Sequence, residues 1–148
     1  MAINSAVNQG TLNRLRGSIT VTDYPDLNVT AEYLGTGAIV ISPEGNVTDF
    51  INTLTGRITS PVPYIPVTIT VHMNRTQALA ASWLSRAQSN SLIGNITITP
   101  DVTTFPNITV RNCGIATVPS QTYAGTDPDY PITISGYVIM NTELWEAA

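Results

Sequence analysis

The chain has 148 residues, 43% of them apolar; one domain of this size buries about 70% of its unfolded surface, and intrinsic disorder is excluded. Charged residues make up only 11%, all six basic ones are Arg, and the net charge is −4, against about 25% charge in an ordinary soluble domain. That balance excludes a protein that grips nucleic acid through a basic stripe, and it implies a surface largely covered by other subunits. The single cysteine, Cys113, excludes an internal disulfide and a Cys-rich zinc site; with no basic-then-apolar leader at the start, synthesis in a reducing cytoplasm is expected.

In chain order, residues 17–22 (GSITVT) alternate, with Ile19 and Val21 on one face and Ser18, Thr20 and Thr22 on the other. Period-two alternation marks a strand with one face on a core. Asp23 and Asp26, around Tyr24 and Pro25, read as turn residues. Residues 42–66 (SPEGNVTDFINTLTGRITSPVPYIP) carry two Gly and four Pro among short strand-like pieces. This stretch reads as an extended loop, an arm or a hairpin. Its apolar residues Phe50, Ile51, Leu54, Ile58 and Tyr64 are anchors that one subunit alone is not expected to bury.

Residues 66–73 (PVTITVHM) alternate again, placing Val67, Ile69, Val71 and Met73 inward and His72 on the threonine face. Asn74 with Gln77 matches a capping box, and residues 78–87 (ALAASWLSRA) contain no Gly, Pro or β-branched residue. A helix over 75–89 follows, with Trp83 covering the open side or end of the barrel. Residues 95–99 (NITIT), 107–111 (NITVR) and 130–141 (YPITISGYVIMN) complete the strand pattern, with Gly136 placed to ease a bend. Residues 123–131 form a turn-rich excursion before the last of them. Five N-x-T triplets, at Asn28, Asn46, Asn74, Asn95 and Asn107, read as by-products of Thr-rich strands rather than as glycosylation sites.

The expected architecture is mainly β: a single-domain barrel or sandwich of six to nine strands with one flanking helix. Catalytic constellations are missing. His72 is the only histidine and has no nucleophile motif beside it. Asp127 and Asp129 form a D-x-D that suits turn capping better than a hard cation, since further oxygen ligands do not follow. No phosphate loop and no zinc spacing occur, so an enzyme is not expected and neither is a metal or cofactor.

Several stretches, taken in order, resemble the tail tube proteins of contractile-tailed bacteriophages: LNRLRGS at 12–18, PDLNVTA at 25–31, TLTG at 53–56 with TSP at 59–61, TVHM running into TQALA across 70–80, and LW at 144–145. The tube protein of the type VI secretion system looks like a structural cousin. The resemblance implies a β-barrel with a flanking helix that assembles into hexameric rings, stacked as a hollow tube inside a contractile sheath. Such a tube conducts the phage genome into the host. The implied partners are the protein itself, the tail sheath protein, and baseplate and tail terminator proteins. Tape measure protein and DNA would pass through the lumen without tight binding, and no membrane is involved. The implied location is the virion, with assembly in the host cytoplasm. The resemblance carries no catalytic residues and no cofactor. It places residues 42–66 where related tubes have an arm between rings, which makes Phe50, Ile51, Leu54, Ile58 and Tyr64 candidate inter-ring contacts. Two other readings are a tube initiator or terminator, and a β-sandwich module that binds a carbohydrate or a protein.

Overall fold

The computed structural model describes residues 9–145, so both ends of the domain read over 1–148 lie outside the described residues. In chain order the elements are β1 (Ser18–Val21), β2 (Leu34–Pro43), β3 (Thr48–Asn52), β4 (Arg57–Pro61), β5 (Tyr64–Asn74), α1 (Ala78–Ser89), β6 (Leu92–Thr99), β7 (Ile108–Thr117), β8 (Asp129–Ile139) and the single turn α2 (Thr142–Trp145). Six strands form one antiparallel sheet in the order β1-β6-β7-β8-β5-β2, curled into a half-barrel. The remaining two, β3 and β4, pair only with each other. The mainly β expectation with one principal helix holds.

The alternation dictates the core. Ile19 and Val21 of β1, Val67, Ile69, Val71 and Met73 of β5, Ile96 and Ile98 of β6, and Ile132 and Ile134 of β8 are all buried together. The opposite faces carry Thr, Ser and Asn, as expected for half-buried antiparallel strands. Gly136 permits close packing. A Cβ there would stand 2.7 Å from Val110 Cγ1 and 2.9 Å from the Arg111 carbonyl oxygen, so β7 could not lie where it does.

Two elements depart from the sequence reading. The first is β2, which the alternation did not reveal because Gly35 and Gly37 interrupt it. Its pairing with β5 jumps from Leu34 opposite Met73 to Ile39 opposite Val71, so residues 35–38 bulge out of the ladder. Ala38 takes a left-handed backbone (φ 50) within that bulge, and Gly37 lies on the His72 ring, where a Cβ would approach Cγ to 2.7 Å. The second is the start of α1. The helix begins at Ala78, not Arg75, and Gln77 is its extended N-cap, without a side-chain cap. The capping box does not form because β5 continues through Asn74, paired with Asp129. Arg75 N–H then donates to the Pro128 carbonyl at 2.7 Å. Asn74 Oδ1 instead accepts from the Thr76 backbone and hydroxyl, at 3.0 and 2.8 Å, closing a local turn.

From there α1 lies against the sheet with Leu79, Ala80 and Trp83 in the core, and Trp83 is fully buried. Cys113 is buried too, its Sγ donating to the Val110 carbonyl at 3.3 Å. Burial pushes its thiol up to about 11, against 9.0 for a free thiol, so it is protonated and inert at neutral pH. Cys113→Ser should cost about 1 kcal/mol, since the hydroxyl can reach the same carbonyl, and assembly should be unchanged. Alkylation of wild type should require unfolding; rapid native labelling or a disulfide-linked dimer would contradict this. The unfolded thiol loses its proton near pH 9 while the folded one keeps it to about 11. Its contribution to stability is therefore complete below pH 9 and lost as pH rises between the two values.

Candidate assembly surface

The segment between β2 and β5 is a regular hairpin standing apart from the barrel sheet. Strand β2 runs on to Pro43 and β5 begins at Tyr64, so the excursion is shorter than 42–66 and its strands lie within 48–61. The register pairs Thr48 with Pro61, Phe50 with Thr59, Ile51 with Ile58 and Asn52 with Arg57. The tip is closed by Thr53: its backbone N–H donates to the Gly56 carbonyl at 2.8 Å, and its hydroxyl bonds both Gly56 N–H and C=O at 3.0 Å. Beside these bonds Leu54 stands wholly in solvent.

Residues directly opposite one another share a face. One face of the hairpin therefore carries Asp49, Ile51, Ile58 and Ser60, and the other Phe50, Asn52, Arg57 and Thr59. The Arg57 guanidinium sits 4.6 Å from the centre of the Phe50 ring. Phe50, Ile51 and Ile58 are each more than half exposed. Both faces thus present large apolar groups that the subunit itself does not cover. A lone two-stranded hairpin is marginal in water, and this one is braced at its base. Val62 N–H donates to the Val47 carbonyl at 3.0 Å, Met140 N–H to Pro63 at 2.9 Å and Glu44 N–H to Pro66 at 2.8 Å. Asn141, in a left-handed conformation (φ 54), donates Nδ2 to the Val62 and Val47 carbonyls at 2.7 and 3.3 Å.

Of the five sequence-derived contact candidates, Phe50, Ile51, Leu54 and Ile58 come together on this arm. Tyr64 does not: it opens β5 beside the arm's base, with its ring edge-on to Tyr137 at 5.4 Å. The sequence reading missed Asn141, since nothing in an isolated Asn after a strand signals that it ties an arm 79 residues away. It also missed a wider surface. The antiparallel order brings the start of β1, the β6–β7 connection and the end of β8 to the same end of the sheet as the arm. Exposed Leu12, Leu15, Phe105, Ile139 and Leu144 gather at that end. Exposed apolar groups gathered at one end make it a candidate interaction surface.

At the opposite end, His72 Nδ1 lies 3.2 Å from Asp129 Oδ1, within hydrogen-bond distance. Asp127 Oδ1 accepts from Asp129 N–H at 3.0 Å, so the D-x-D caps its own turn. Arg75 ties the same turn by donating to the Asp127 carbonyl, and its guanidinium lies 5.6 Å from the Tyr123 ring. The shallow hollow here, about 420 Å³, is lined by Gly35, Gly37, His72 and Asp129 among others. Among the described residues no three metal-ligating side chains converge, and no helix is long and apolar enough to cross a membrane. Neither a protein-family model nor a curated protein matches this chain.

Proposed function

We propose that this protein is a tube-forming structural subunit of the contractile-tail type. Copies associate into rings, the rings stack, and a sheath surrounds the hollow tube through which DNA passes. The observation that carries this reading is the β3–β4 arm, which projects apolar side chains from both faces and a fully exposed Leu54 at its tip. A monomer gains nothing from such an element, whereas a polymer buries it. The half-barrel supports the same reading, because its edge strand β2 is open to further pairing. So does the scarcity of charge. With −4 per chain, a six-membered ring would carry about −24 before screening, which repels rather than holds a passing phosphate backbone. The Thr-rich strand faces give a polar wall without a basic stripe. No catalytic role is assigned to any side chain, and the tail sheath, terminator and baseplate proteins are the partners this reading requires.

Negative-stain microscopy of the concentrated protein tests it: rings or tubes are expected, and uniformly dispersed monomers would favour a β-sandwich binding module instead. Contacts between copies should be apolar and hydrogen-bonded with few ion pairs. Particles should therefore persist in about 0.5 M salt, where the Debye length is only a few ångströms and exposed charge pairs are screened. Sedimentation across a salt series measures this, and complete dissociation at that concentration would count against it.

A further inference from the structure

The curled sheet leaves a seam between its two edges, β1 with β6 on one side and β2 on the other. This cleft of about 750 Å³ is lined by Leu34, Ile39, Ile41 and Ile98, with Arg14 and Asp101 at its rim. Leu34, Ile39 and Ile41 are only half-buried and lie on the edge of the core. An opening of this size would hold a drug-sized ligand, yet its walls are aliphatic rather than chemically specific.

We infer that the seam is the receptor for the β3–β4 arm of a second copy, seated with its Ile51–Ile58 face against Ile39 and Ile41. The inference rests on the self-assembly reading and names the surface that reading leaves open. Three observations select this occupant. First, the chemistry matches: a β-branched pair and a terminal Leu meet a cleft of Ile and Leu. Second, both partners have strand edges to spare. Strand β2 ends the six-stranded sheet and the arm is a sheet of two, so an arm lying in the seam can add to β2 and extend the half-barrel. Third, the charges complement one another. Asp49 lies on the Ile51–Ile58 face, with only a 3.5 Å contact from Asn46. Arg14 is exposed on the seam rim and has no side-chain partner among the described residues. A docked arm brings Asp49 to Arg14, an exposed pair that sets register more than affinity. Knob and cleft are different patches of one chain, so the contact is heterologous. It leaves one arm and one seam free at each step, which is the geometry of a ring or an open polymer.

Charge reversal in the full-length chain tests this. Both positions are exposed, so Asp49→Arg and Arg14→Asp should each melt like wild type. Each should lower the yield of sedimenting particles about tenfold by placing like charges together at every contact. The double variant should recover wild-type yield within about twofold, because it restores the pair with its signs exchanged. Wild-type tubes combined with unaffected single variants, or with a double variant no better than either single, would overturn the seam and leave the assembly reading standing. Wild type that stays monomeric at every concentration would overturn both.

Discussion

Trp83→Ala should lower the stability of the subunit by about 3–5 kcal/mol, the range for removing a buried Trp side chain. For a domain of this length that is a fall in Tm of about 6–20 °C. The size follows from where the indole sits. Trp83 is fully buried and is the largest side chain the helix puts into the core, with Leu79 and Ala80 entering one turn before it. Hydrogen bonding adds nothing to the loss, because Trp83 Nε1 has no partner among the described residues. The cost is therefore a cavity cost. Trp83→Phe, which keeps much of the volume and removes the unpaired donor, should lose about 1–2 kcal/mol. Circular dichroism melts of the two variants separate this from a contact role. If Trp83 served a partner, both variants would melt like wild type and fail only in assembly; burial predicts that Tm falls first and assembly fails with it.

The strands with strict alternation were legible because one face of each lies on a core and the other does not. In β5 and β8 the period fixes which residues are buried, and Val67, Ile69, Ile132 and Ile134 follow it. Where backbone geometry breaks the period, the sequence says less. In β2, Gly35, Gly37 and a left-handed Ala38 interrupt the pattern, and Gly37 leaves room for the ring of His72, a neighbour 35 residues along the chain. The helix start failed for a similar reason. Asn74 and Gln77 have the right identities for a capping box, but pairing with Asp129 holds Asn74 in a strand. Strand pairing outweighed a local cap worth about 1 kcal/mol. The arm was half legible. Its apolar residues stood out against Gly and Pro, but their division between two faces depends on the register of Ile51 with Ile58. The composition of residues 42–66 did not set that register. The seam was not legible at all, since Arg14, Ile39 and Ile98 meet only through the curl of the sheet.

Removing the arm should separate folding from stacking. Residues 47 and 62 are joined by the Val62 N–H to Val47 carbonyl bond at 3.0 Å, so a short Gly-Ser loop can replace what lies between them without moving β2 or β5. The barrel sheet loses no strand, because β3 and β4 pair only with each other. The core loses nothing either, as Phe50, Ile51, Leu54 and Ile58 are all exposed. The shortened chain should fold with Tm close to wild type. Assembly is another matter. Burying an exposed Leu, Ile or Phe is worth about 1.5–3 kcal/mol when complete. Four such groups, three of them half exposed beforehand, contribute about 5 kcal/mol or more once neighbouring copies cover both faces of the arm, before the cost of ordering side chains. A loss of that size shifts the association constant more than a thousandfold. Single rings should be affected less, since on the assembly reading they would also draw on the exposed residues around the arm's base, but long tubes should be absent from micrographs at any practical concentration. Tubes of normal length from the shortened chain would eliminate the arm as the stacking element. A shortened chain that cannot fold would show instead that β3 and β4 belong to the folding unit and that their exposed side chains are incidental.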